Sequence, residues 1–298
     1  MRLQSIYLML ASSALAGMFP FGMSAAFGQS QATSDPKAQH LTADGQPDIQ
    51  GVWRPNPGGD TYDLTGNTGP RPDYVLQGDG TPKQPTRRVV DPEDGKIPYQ
   101  PWAAAKQKET QDNVDNPTKP QYVDTQAHCI LEGPFRILIH SGFQILQAPG
   151  YVLLLSEAND EYRIIPLDAH PHVGQDIKLW QGDSRGHWEG NTLVVDDTNL
   201  KAKSRLDMVG NFYSPSAHLV ERFTIINDKG INYEVTVTDP AVYTRPWKLT
   251  VHFDRRFANQ SGYEVYESPC HEGERSSDHM VISSGETKDT TGAKVSLK

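Results

Sequence analysis

Leu167-Asp168-Ala169-His170-Pro171-His172 packs one carboxylate and two imidazoles into six residues. In an extended chain alternate side chains project to one side, so Asp168, His170 and His172 would share a face. That spacing suits an acid/base histidine beside an orienting carboxylate, or two imidazoles on one metal ion. It equally suits a strand-end turn cornered at Pro171, with both histidines bonded to backbone. An H-x-H pair alone names no third or fourth metal ligand.

Glu221 is the second candidate. It shares a strand face with Leu219, Phe223 and Ile225, the face assigned to the interior. A carboxylate there must be paired, or carry a raised pKa and act as an acid or base. Its candidate partners are Arg163 and Arg136. Glu157 ends the Leu153–Leu155 face of an apolar strand and lies close in sequence to Arg163. Two carboxylates and a histidine near a barrel mouth would serve proton transfer in elimination, hydration or isomerisation. Arg136 or Arg163 would hold a substrate carboxylate or stabilise an oxyanion. Tyr233 and Trp247 suit either the core or the wall of an apolar cavity. The expected catalytic set is therefore His172, Asp168, Glu157 and Glu221, and the expected binding set Arg136, Arg163, Tyr233 and Trp247.

The elements that must position these groups are strands. From Phe135 onward the pattern alternates with period two. Phe143 to Gln147 and Tyr151 to Ser156 read as a hairpin about Ala148-Pro149-Gly150, and Tyr162 to Leu167 as a third strand. Thr192 to Thr198 follows a turn at Trp188-Glu189-Gly190-Asn191. Leu219 to Ile226 and Ile231 to Thr238 flank an Asn-Asp-Lys-Gly turn, and Trp247 to Phe253 and Tyr263 to Tyr266 complete the set. Gly182 to His187 reads as a loop. Short antiparallel strands, apolar on one face, predict a mainly β fold: an antiparallel lipocalin-like barrel, with a curved sandwich as the alternative.

Residues 29–120 are rich in Pro and Gly and read as an extended segment wrapping that barrel, with an entry strand carrying Trp53 and a short helix over Trp102 to Gln111. The barrel domain is expected over 121–274 and a polar tail over 275–298. Residues 1–28 read as a secretory signal peptide: Arg2, an apolar run from Ile6 to Phe19, then small residues ending at Gly28. A periplasmic or secreted protein follows, with no membrane contact after cleavage.

The chain has 298 residues, a net charge of −9 and two cysteines. No basic stripe marks a nucleic-acid partner. Cys129 and Cys270 read first as a disulfide in an oxidising compartment. A catalytic thiol or metal ligand stays open, because His271 and Glu272 follow Cys270. No G-x-S-x-G elbow, P-loop or G-x-G-x-x-G opens a helix after a strand, which disfavours hydrolase-triad, nucleotide and dinucleotide chemistry.

Several segments together resemble a family of exported bacterial proteins: Pro47 to Trp53, Cys129 with Gly133 to Arg136, Trp180 through Asp196, Glu221-Arg222-Phe223, Thr238 to Trp247, and Cys270 to Gly273. The chain departs from that pattern at Ala169-His170, where the family carries Gly-Arg, and keeps His172 in place. The resemblance implies export and the barrel architecture and carries no activity. From the residues, the leading expectation is an enzyme without organic cofactor doing acid/base chemistry, of lyase, hydratase or isomerase type, on a small apolar or aromatic molecule. A binding or carrier protein of the same shape is one alternative. A metal-dependent enzyme using His172 and His271 is the other.

Overall fold

The computed structural model describes residues 40–56, 62–68, 86–255, 265–267, 270, 286–288 and 294–296. The leader expected over 1–28, most of the tail, and His271 lie outside the described residues.

Ten strands form one antiparallel sheet: β1 (Gly51–Asn56), β2 (Val89–Asp91), β3 (Phe143–Ala148), β4 (Tyr151–Ser156), β5 (Tyr162–Pro166), β6 (Asp183–Glu189), β7 (Thr192–Thr198), β8 (His218–Asn227), β9 (Gly230–Thr238) and β10 (Trp247–Arg255). Nine of them run in the order β5-β4-β3-β1-β10-β9-β8-β7-β6, a nearly closed barrel, and β2 pairs with β10 outside that path. Two further short strands, β11 (Glu286–Lys288) and β12 (Lys294–Ser296), pair only with each other. Helix α1 (Pro101–Asn113) begins at a proline, whose fixed φ and missing N–H suit a first turn. Helix α2 (Arg136–His140) precedes β3.

The interior follows the alternation. Trp247, Leu249, Val251 and Phe253 of β10 are buried beside Tyr233, Val235 and Val237 of β9, in the register Phe253↔Ile231 to Trp247↔Val237. Ring contacts fill the barrel: Phe223 to Tyr233 at 4.6 Å, Tyr233 to Phe253 at 5.2 Å, and Phe253 edge-on to Phe143 at 4.9 Å between centroids. The hairpin strands thus pack a core at their centre, where a cavity for an aromatic ligand was one expectation.

Two local expectations need correction. Gly182 to His187 is largely strand, as β6. The apolar signal failed there because the inward positions of β6 are Ser184, Gly186 and Trp188, two of them small for reasons given below. Phe135 to Ile139 is buried throughout and helical from Arg136, not alternating; a short continuous apolar run carries no period of its own. The entry strand expected at Trp53 is present as β1, with Trp53 buried, and it lies in the barrel wall between β3 and β10.

The sheet stops short of closing between β5 and β6, which meet through side chains. Arg163 Nε donates to Ser184 Oγ at 2.9 Å. Below it, a Cβ on Gly186 would stand 2.8 Å from both Ile165 Cγ2 and Leu167 Cδ2. Only a bare backbone fits so near the facing strand.

Candidate functional site

Four strands send polar groups into this seam. Arg163 comes from β5, Ser184 from β6, Asp197 from β7 and Glu221 from β8, and all four are buried. Arg163 NH1 donates to Glu221 Oε2 at 2.8 Å and Oε1 at 3.1 Å, while NH2 bonds to Asp197. Ser184 donates to the other oxygen of Asp197. Glu221 is therefore paired with Arg163, one of the two partners its position suggested. Asp197 was legible too, because it continues the inward face of Leu193 and Val195, but it was not read.

One arginine faces two carboxylates, which leaves an excess of one negative charge. Burial, opposed by Arg163 and reinforced by Asp197, pushes Glu221 well above the usual carboxylate range, toward its protonated form. Burial also works against the Arg163 charge, but Asp197 and Glu221 raise it above its ordinary value. The Tyr233 hydroxyl, buried and raised by burial and then by Glu221, completes the inner side. Tyr233 and Trp247 are thus core residues, and Trp247 packs edge-on against Tyr243 at 5.7 Å.

Outside the cluster, a cleft of about 340 Å³ opens along the seam. Leu131, Tyr162, Ile164, Leu179 and Trp180 supply apolar wall, and Asp160, Glu161, Arg163, Gln181 and Ser184 the polar part. That volume lies within the roughly 300–1,000 Å³ of small-molecule sites. Gly182 in the wall has φ +72, and a Cβ there would meet Leu200 Cδ2 at 2.9 Å and Thr198 O at 3.0 Å. Asn159 and Asp160 both occupy the left-handed region, at φ 55 and 51, immediately before Glu161. Such paired outliers concentrate at functional sites.

Glu161 is the buried carboxyl of this cleft wall. It is 3% exposed, and its Oε1 accepts the Glu132 N–H at 2.7 Å. Its Oε2 is bonded by Gln181 Nε2. Burial, opposed by that Glu132 N–H and reinforced by the Glu132 charge, raises its carboxyl to about 7. Glu132 in turn stands 3.0 Å from His140 Nδ1. Sequence alone hid Glu161, since Glu-Ala-Asn-Asp-Glu between two strands reads as an ordinary polar turn. Its burial comes from Glu132 and Gln181, which are distant in sequence.

The expected histidine site is elsewhere. His172 lies on the outer face, where its Nδ1 is 2.9 Å from Asp183 Oδ2 and its Nε2 is 2.8 Å from Asp196 Oδ1. Asp196 also faces His218 Nε2 at 2.7 Å, and Asp183 is held by Arg185 at 2.8 Å and by the Val173 N–H at 2.9 Å. With a carboxylate on each ring nitrogen, His172 staples the loop after β5 to β6 and β7. Asp168 pairs with His170 at 2.8 Å on the exposed side and does not join His172. Among the described residues no group of three or more His, Cys, Asp or Glu is arranged to hold a metal ion.

The remaining expected residues are structural in their contacts. Arg136 makes a two-pronged bond to buried Asp124, at 2.9 and 3.2 Å, and is not on the cleft wall. Glu157 accepts the Gly142 N–H at 3.2 Å and fixes the corner between α2 and β3. Cys129 and Cys270 form a disulfide across 141 residues of sequence. Among the described residues no helix is long and apolar enough to cross a membrane.

No protein-family model matches the chain, and no curated protein matches it. Function has to be argued from the site itself.

Proposed function

We propose that the chain is an acid/base enzyme, of lyase, hydratase or isomerase type, acting on a small, largely apolar or aromatic molecule held in the seam cleft. Glu161 is the group that moves the proton. The observation that carries this reading is a carboxyl buried in the cleft wall, whose burial raises it toward the neutral range where a side chain both takes and gives protons efficiently. Glu221, Arg163 and Asp197 are its buried floor and not the reacting groups. The Cys129–Cys270 disulfide and the leader-like N-terminus support a periplasmic or secreted location, where free ATP and NAD are scarce; the chemistry proposed asks for no organic cofactor.

Incubation of the purified protein with a panel of small aryl and terpenoid compounds, followed by mass spectrometry, tests this. Consumption of a compound by the wild type should fall at least about 100-fold in Glu161→Gln, the loss expected for a general acid/base. Undiminished turnover in a folded Glu161→Gln protein would remove Glu161 from the chemistry. A compound that is retained but returned unchanged would make the protein a carrier.

A further inference from the structure

We infer that the seam cleft recognises its ligand by accepting a hydrogen bond from it, so that the ligand is an uncharged aryl alcohol or phenol and not a carboxylate or phosphate. This rests on the cleft being the functional site and adds the identity of the ligand's polar group.

The evidence is the state of the donors and acceptors in the wall. Arg163, the cation there, is already committed: Nε to Ser184, NH1 to Glu221, NH2 to Asp197. An anion entering the cleft would have to break buried ion pairs to reach it, leaving a carboxylate uncompensated. Ser184 is equally spent, donating to Asp197 while accepting from Arg163. Lys201 is outside the wall, over the Trp180 ring with its Nζ 4.6 Å from the centroid. Asp160 and, once ionised, Glu161 line the same wall and would repel an anionic ligand.

The acceptors are in the opposite condition. Gln181 uses its Nε2 on Glu161, which directs its Oε1 away from that carboxylate, and among the described residues this buried Oε1 has no hydrogen-bond partner. A buried acceptor left without a donor is unfavourable, and a ligand hydroxyl would supply that donor. Leu131, Tyr162, Ile164, Leu179 and Trp180 favour an apolar or aromatic body beside that hydroxyl. A hydroxyl held at Gln181 would also lie beside Glu161, the residue to which Gln181 is bonded.

Four probes of one shape separate the possibilities: 2-phenylethanol, its methyl ether, phenylacetate and 2-phenylethylamine, with Kd read by ligand-observed NMR. The alcohol should bind at least about ten-fold tighter than the ether and the acid, and Gln181→Met should bring alcohol and ether level. Thermal melting and the seam tryptophan signal establish that Gln181→Met is folded, and Gln181→Leu provides a second variant. Tighter binding of phenylacetate, tighter binding of the amine, no binding by any of the four, or an alcohol preference that survives both Gln181 variants would each overturn the inference. Absence of turnover by the wild type, together with an alcohol preference that both Gln181 variants abolish, would defeat the acid/base reading and leave this one standing.

Discussion

At the residue scale, the seam cluster distinguishes two kinds of buried carboxylate. Arg163 is the sole cation for Asp197 and Glu221 within the cluster, so removing it strands two buried acids. Arg163→Met should therefore cost on the order of 3–5 kcal/mol of unfolding free energy in urea. Glu221→Gln should cost about 1 kcal/mol or less, because burial and the neighbouring Asp197 already favour the protonated form of Glu221, which the amide mimics. Equal losses in the two variants would mean that Glu221 is ionised and needed as a counter-charge. The same cluster shows what sequence could convey at this scale. Glu221 on an apolar face announced a partner, and alternation put Asp197 on the same side. Whether such a carboxylate reacts or merely pairs depends on the neighbouring strand, which one chain of letters does not align.

At the element scale, the strands whose inward positions are large and apolar were readable: β3, β4, β7, β8, β9 and β10 all appear at the expected places. β6 was not, because its inward residues answer to β5. Gly186 lets Ile165 and Leu167 approach, and Ser184 meets Arg163. The His172 segment went wrong for a related reason. Its three polar side chains were assumed to converge, whereas Asp168 and His170 pair with each other and His172 turns to Asp183 of β6 and Asp196 of β7. The seam makes a prediction about β6. Gly186→Ala places a methyl within 2.8 Å of two side chains, so β5 and β6 must part or Ile165 and Leu167 must leave their rotamers. An overpacked core site of this kind loses roughly 1–3 kcal/mol. Amide exchange should rise in β5 and β6, the two edges of the sheet, while β9 and β10 at its centre keep their protection. Uniform loosening across the barrel would refute a local seam.

At the scale of the whole molecule, the described residues bury an unusual set of acids. Glu161 is raised to about 7, Asp207 to about 7 and Glu221 to about 8, burial being the largest cause in each. Their ordinary values are 4.5, 3.8 and 4.5. Between those limits the folded protein binds more protons than the unfolded chain, so stability falls as pH rises. The stabilisation from these protons is complete below about pH 4 and is lost through pH 7 to 8. Asp168 and Glu189 are lowered, but both are exposed and act only in more acid solution. The net charge of −9 acts in the same direction, since added negative charge strains a compact chain, but salt screens that part and leaves buried groups nearly untouched. The melting temperature should therefore decline from pH 5 to pH 8.5 even in 0.5 M salt, where screening shortens the Debye length to about 4 Å. Glu161→Gln should flatten the part of that decline centred near pH 7, because the amide cannot ionise. A melting temperature that rises over this range, or a Glu161→Gln profile parallel to the wild type, would show that the cleft carboxyl is already ionised in the folded protein. It would then be a fixed charge and not a proton carrier.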